Sequence, residues 1–201
     1  MDSSSHYYHH EQAFLNESAL AELAALVRLR SVEIGSFTLA SGRTSEYYID
    51  ARRTTMSARG LELIGELGLE AIRDRGWRPA LVGGLTLGAD PVAYAIARAS
   101  RQMPPTVDAF TVRKDVKAHG AKRCIEGCFE PGETVVVVED VVTTGASALK
   151  ATAAVSDAGG VVSGVLAVVD REEGGRVALE AAGLELVTLL SLADLGLPLS
   201  P

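Results

Sequence analysis

The sequence predicts an α/β protein: a central, mostly parallel sheet flanked by helices, with a small N-terminal hood outside it. Three observations lead there. The run Thr134-Val-Val-Val-Val138 is continuous, apolar and β-branched, the pattern of a strand buried on both faces of a parallel sheet. Strand-like and helix-like segments then alternate regularly on either side of it, which implies βαβ units with right-handed crossovers. Near the N-terminus, the polar turn Ser41-Gly-Arg-Thr-Ser45 joins two short strand-like stretches into a hairpin that stands apart from this alternation.

The elements follow in order. Residues 1–12 carry Ser3, His6, His9 and His10 but neither an apolar h-region nor an arginine-rich amphipathic pattern. They read as a disordered or leader segment, not a signal or transit peptide. Residues 13–201 are expected to form one domain, with the hood drawn mainly from 31–53. Asn16 is expected to cap a helix running to about 30, with Leu20, Leu23, Ala24 and Val27 on one face. Strands are expected at 36–40 and 46–51. Ser57 can cap a helix to about 75. A strand at 79–83 precedes a helix at 90–101 with Pro91 in its first turn. Strands at 106–112 and 134–138, a helix at 148–158, a strand at 161–169, a helix at 171–182 and a last strand at 184–190 complete the alternation. Ligands in such sheets bind beyond the carboxyl ends of the strands. Gly83-Gly84, Arg113-Lys114, Glu139-Asp140 and Asp170-Arg171 are therefore expected to converge on one crevice.

Composition narrows the function classes. With 201 residues, 47% of them hydrophobic, the chain can bury a substantial core. A formal net charge of −7 argues against a general nucleic-acid binder. No apolar run approaches the length of a membrane span. Cys124 and Cys128 are too few for a disulfide framework and read as free thiols of a reducing compartment, so a cytoplasmic location is expected.

Two stretches carry chemistry. After the valine run, Glu139 and Asp140 stand at the strand's end, followed by the small turn Thr143-Thr-Gly-Ala-Ser147 and a helix. Small residues let the backbone approach a ligand, and the free N–H groups at the helix start point at it. With the helix dipole and the hydroxyls of Thr143, Thr144 and Ser147, this makes a seat for a phosphate monoester. The acid pair beside it suits ribose hydroxyls or a hydrated metal ion. The second stretch is the basic loop Arg113-Lys-Asp-Val-Lys-Ala-His-Gly-Ala-Lys-Arg123, too long for a simple turn. Alone it would be a solvated charge run. At the same sheet edge as the phosphate seat, Arg113, Lys114, Lys117 and His119 can neutralise a pyrophosphate. A ribose 5-phosphate seat beside a pyrophosphate lid describes 5-phosphoribosyl 1-diphosphate, a substrate whose anion calls for Mg²⁺. Ribosyl transfer from it needs no protein nucleophile, only a held leaving group and a shielded oxocarbenium-like transition state.

These motifs resemble a known family. Val136-Val-Val-Glu-Asp-Val-Val-Thr-Thr-Gly-Ala-Ser147 is similar to the diphosphoribosyl-binding signature of type I phosphoribosyltransferases. Phe37-Thr-Leu-Ala-Ser-Gly-Arg-Thr-Ser-Glu-Tyr-Tyr-Ile-Asp50 and Arg113-Lys-Asp-Val-Lys-Ala-His-Gly120 resemble the hood and catalytic loop of the orotate phosphoribosyltransferases, and Val169-Asp-Arg-Glu172 their Asp-Arg pair. The resemblance covers about residues 30–175. It implies the type I phosphoribosyltransferase fold and the formation of orotidine 5′-monophosphate and diphosphate from orotate and 5-phosphoribosyl 1-diphosphate, in pyrimidine (UMP) biosynthesis. It implies that Glu139, Asp140, Val141, Val142, Thr143, Thr144, Gly145, Ala146 and Ser147 bind the phosphoribosyl group, with Thr143 also touching orotate. Arg171 would pair with the base, a role its planar fork suits. Lys114, Lys117 and His119 would close over the diphosphate and act in catalysis together with Asp140. Arg113 would reach into the neighbouring subunit's site, which makes the chain a homodimer. Mg²⁺ would arrive on the diphosphate with no direct protein ligand, Asp140 touching it through water.

The chain departs from the family pattern twice. Many members carry a lysine where this chain has Thr44, and a Tyr-Lys pair near Thr86-Leu87. Other bases, such as Arg43 or Arg52, would have to compensate, or diphosphoribosyl affinity is weaker. Two alternatives stand beside the main expectation: a phosphoribosyltransferase for a purine base, and a ligand-sensing regulator that kept the site and lost catalysis. The intact Lys117 and His119 and the lack of a basic nucleic-acid surface argue against the regulator.

Overall fold

In the computed structural model, residues 3–38, 42, 44–114 and 124–199 are described, with side chains from 16 onward. The chain opens with helix α1 (Ser3–Ser31), then the antiparallel hairpin β1 (Val32–Thr38) and β2 (Thr44–Ile49). Short helix α2 (Arg52–Thr55) and long helix α3 (Ala58–Asp74) lead into the main sheet. There follow β3 (Leu81–Leu85), α4 (Ala89–Gln102), β4 (Asp108–Val112), β5 (Ile125–Gly127), β6 (Thr134–Val142), α5 (Ala146–Asp157), β7 (Val161–Asp170), α6 (Gly175–Ala181) and β8 (Leu186–Leu190).

The expected α/β class is borne out. The six-stranded sheet has the order β5-β4-β3-β6-β7-β8, with every pairing parallel except that of edge strand β5 to β4. The hood hairpin forms its own two-stranded sheet. Strand β6 shows why an unbroken valine run was needed. Val136 and Val138 pack on one face with α1, α3 and α4, through residues such as Val27, Ile64 and Ile96. Val135 and Val137 pack on the other with Ala151 and Val155 of α5 and Leu179 of α6. A strand covered on both faces needs apolar residues at successive positions.

Several boundaries differ from expectation. Asn16 caps nothing, because α1 begins at Ser3 and takes in most of the leader-like segment. No glycine or proline interrupts residues 3–31, and the Asn16 amide is used instead in a 2.6 Å hydrogen bond to Glu70 on α3. Ser57 does cap α3, its Oγ accepting from the Gly60 N–H at 3.1 Å. Strand β6 continues past 138, so the acid pair lies within it. The helix expected at 171–182 starts only at Gly175. Glu172 is left-handed (φ 54), and the Asp170 carboxylate accepts from its N–H at 2.8 Å, which holds that segment as a turn. The one-turn α2 and the three-residue β5 carried no periodic signal and were not expected. Residues 115–123, with Lys117 and His119, lie outside the described residues, as do Ser41 and Arg43 of the hood turn. No helix among the described residues is long and apolar enough to cross a membrane.

Candidate active site

The turn expected to seat a phosphate lies where β6 gives way to α5. Val142 ends the strand, and Thr143, Thr144 and Gly145 turn the chain into the helix. Gly145 has φ 80, a left-handed conformation in which a β-carbon is strained, and it leaves the first helical N–H groups open to the turn. Residues 141–148 and Glu139 line a small cavity of about 40 Å³ there.

A second cavity of about 250 Å³ adjoins it, sharing Glu139, Val141 and Ser147. Its walls are residues 48–52 at the end of the hood, the turn 85–88 after β3, Lys114 after β4, and Asp140. The expected convergence is thus met by Lys114 and the acid pair. The contributor from β3 is the 85–88 turn, not Gly83 and Gly84, which sit inside the strand. The signal was present in Gly84-Leu-Thr-Leu-Gly88, whose spacing fits no nucleotide motif. Gly88 is required by close approach: a β-carbon there would lie 2.4 Å from Asp140 Oδ1.

Arg171 and Arg113 stand back from both cavities. Arg171 is buried, its guanidinium 5.4 Å above the Tyr47 ring and 2.7 Å from the Glu173 carboxylate. Its backbone N–H donates to Val142 O at 2.9 Å, which ties it to the phosphate turn. The Tyr47 and Glu173 partners were not foreseen, since neither lies at a spacing that links it to Arg171. Arg113 turns toward β5, 3.2 Å from Glu126, with its buried Nε lacking a hydrogen bond among the described residues.

The acid pair is electrostatically unusual. Burial, reinforced by the neighbouring Asp140 charge and opposed by Lys114, pushes Glu139 up to about 8. Burial also raises Asp140, against the Val141 N–H that donates to it at 2.9 Å. Glu139 Oε1 is buried without a hydrogen-bond partner among the described residues, and Glu139 lines both cavities. A carboxyl group whose folded value exceeds its unfolded one binds more protons in the folded state, so stability falls as pH rises between the two values. For Glu139 that window runs from 4.5 to about 8. Melting of the unliganded chain is therefore expected at lower temperature at pH ~8 than at pH ~5.5, and Glu139→Gln, shaped like the neutral acid, should flatten that slope. A parent slope of opposite sign, or one unchanged by the substitution, would refute this.

Comparison with known proteins agrees with this geometry. No family model matches the chain. The orotate phosphoribosyltransferase of Mycobacterium tuberculosis (strain H37Rv) is 54% identical over 177 residues, covering 88% of this chain and 96% of the relative. The chain belongs to the orotate phosphoribosyltransferase family. The family expected from the motifs is borne out, and with it the fold class and the activity of a pentosyltransferase. The orotate phosphoribosyltransferase of Aquifex aeolicus (strain VF5) is 48% identical over 177 residues, covering 87% of this chain and 96% of the relative. A crystal structure of the Mycobacterium tuberculosis enzyme in complex with 5-phospho-alpha-D-ribosyl 1-diphosphate superposes with a TM-score of 0.76 at 50% identity, covering 89% of this chain and 99% of that one.

Among the described residues no group of three or more His, Cys, Asp or Glu side chains could hold a metal ion. The buried, unpartnered Glu139 oxygen and the adjacent Asp140 do fit a cation brought in on a substrate and contacted through ribose hydroxyls or water.

Proposed function

We propose that the two joined cavities bind 5-phosphoribosyl 1-diphosphate and that this chain's residues divide the transfer to orotate among themselves. The observation that carries this reading is the continuity of the phosphate seat with the acid-lined cavity through Glu139, Val141 and Ser147. The turn 143–147 takes the 5-phosphate on its N–H groups and hydroxyls. Glu139 and Asp140 accept from the ribose hydroxyls. Bound Mg²⁺ supplies charge neutralisation of the diphosphate. Lys114, joined by Lys117 and His119, provides positive charge and acid protons where the C1′–oxygen bond breaks. The orotate ring nitrogen gives up its proton, which leaves with the diphosphate, and bonds to C1′ as the C1′–oxygen bond breaks, while Arg171, tied to the phosphate turn, and Thr143 hold the base. Keeping water from the oxocarbenium-like centre falls to the hood side of the cavity. The product is orotidine 5′-monophosphate, and the setting is cytoplasmic pyrimidine biosynthesis.

We further infer a homodimer in which Arg113 serves the partner's site. Its course away from this chain's own cavities supports the reading. Purified chain, the diphosphate donor and Mg²⁺ should consume orotate, followed by absorbance, but not adenine. Adenine turnover without orotate turnover would overturn the assignment, and binding without any turnover would favour the regulator. Mixing Arg113→Ala with Asp140→Ala chains under exchange should restore part of the activity neither shows alone. Failure of rescue between exchanging chains would sink the in-trans role.

A further inference from the structure

The larger cavity has an uneven charge inventory. Three carboxylates, Asp50, Glu139 and Asp140, line it against two cations among the described residues, Lys114 and Arg52. A diphosphate adds several negative charges to such a space and needs cations on more than one side. Lys114 enters from the end of β4. The turn 85–88 offers no side-chain charge to meet it: Leu87 is apolar and half-exposed, and the Thr86 hydroxyl is spent on Asp90 at 2.7 Å. Among the described residues lining the cavity, Arg52 is the cation on the hood side.

Its geometry suits the task. Arg52 Nε donates to Asp50 Oδ1 at 2.7 Å, and the Arg52 backbone N–H reaches the same oxygen at 3.3 Å. That anchor holds the inner edge of the guanidinium and leaves both terminal nitrogens without a hydrogen bond among the described residues. The side chain is 45% exposed, so the fork is reachable from the cavity. A pre-oriented fork with free donors matches phosphate oxygens in bidentate fashion. Asp140 and Arg52 line the same cavity and sense one another's charge. Asp140 in turn rests on Gly88. Arg171, the cation assigned to the base, does not line this cavity.

Resting on the substrate assignment above, we propose that Arg52 is a substrate-binding residue that grips the diphosphate of the donor from the hood side, with Asp50 as its brace. Mg²⁺-diphosphate and Mg²⁺-5-phosphoribosyl 1-diphosphate should be titrated calorimetrically against the parent, Arg52→Gln and Arg52→Lys, with KM for both substrates measured alongside. Losing a charge-assisted fork should weaken both ligands by ~10- to 100-fold in Arg52→Gln. Arg52→Lys, keeping charge without the fork, should recover part of that. KM for orotate should stay within about twofold, since an exposed rim cation does not touch the base. Unchanged diphosphate affinity, or a loss confined to KM for orotate, overturns the role. If Arg52→Gln fails to fold by circular dichroism, the Arg52→Lys titration decides, an unchanged affinity again overturning it. A parent chain that binds neither ligand would instead refute the substrate assignment itself.

Discussion

Asp140→Ala is expected to weaken binding of 5-phosphoribosyl 1-diphosphate by about 100-fold, the worth of two charge-assisted hydrogen bonds. The carboxylate lies on β6 and lines the larger cavity, held by the Val141 N–H and set against Gly88. Removing it takes away an acceptor for ribose hydroxyls or metal-bound water. Stability should move the other way, because a buried carboxyl that resists ionisation is a cost to the fold at high pH. The check is calorimetric affinity together with melting at pH ~8. Donor affinity within threefold of the parent would refute the assignment of Asp140 to the ribose.

Gly145→Val should damage both fold and site. At φ 80 a β-branched residue is strained, and its β-carbon would lie 3.1 Å from the Gly175 carbonyl oxygen, backbone that has little room to shift. We expect a loss of roughly 2–4 kcal/mol, a melting decrease of about 5–12 °C for a chain of this size. Relief of the strain would rotate the turn and misdirect the N–H groups aimed at the 5-phosphate. Affinity for ribose 5-phosphate should therefore fall by about tenfold or more even at temperatures where the variant is folded. A variant that melts with the parent and binds ribose 5-phosphate normally would show that the turn does not depend on this conformation.

The sheet and its carboxyl-edge site were legible because their signals are local and periodic. The valine run of β6, the Ser57 cap and the small turn at 143–147 each state their structure within a few residues. What escaped the sequence was tertiary or too short to be periodic. Asn16 has the chemistry of a cap, and only the partner on α3 reveals its use. The stacking of Arg171 on Tyr47 joins the hood to the end of β7, a pairing no spacing rule encodes. The 85–88 turn was visible as glycines after a strand, yet its place in the cavity wall depends on β3 lying next to β6.

The contact of Asp140 with Gly88 ties two distant positions into one unit of variation. A methyl at 88 collides with the carboxylate, so a change there is tolerated only alongside a shorter or displaced side chain at 140. The pair should behave non-additively in a double-mutant cycle, as residues sharing one space do. The turn after β3 is thereby held to glycine for as long as the acid it faces keeps its place.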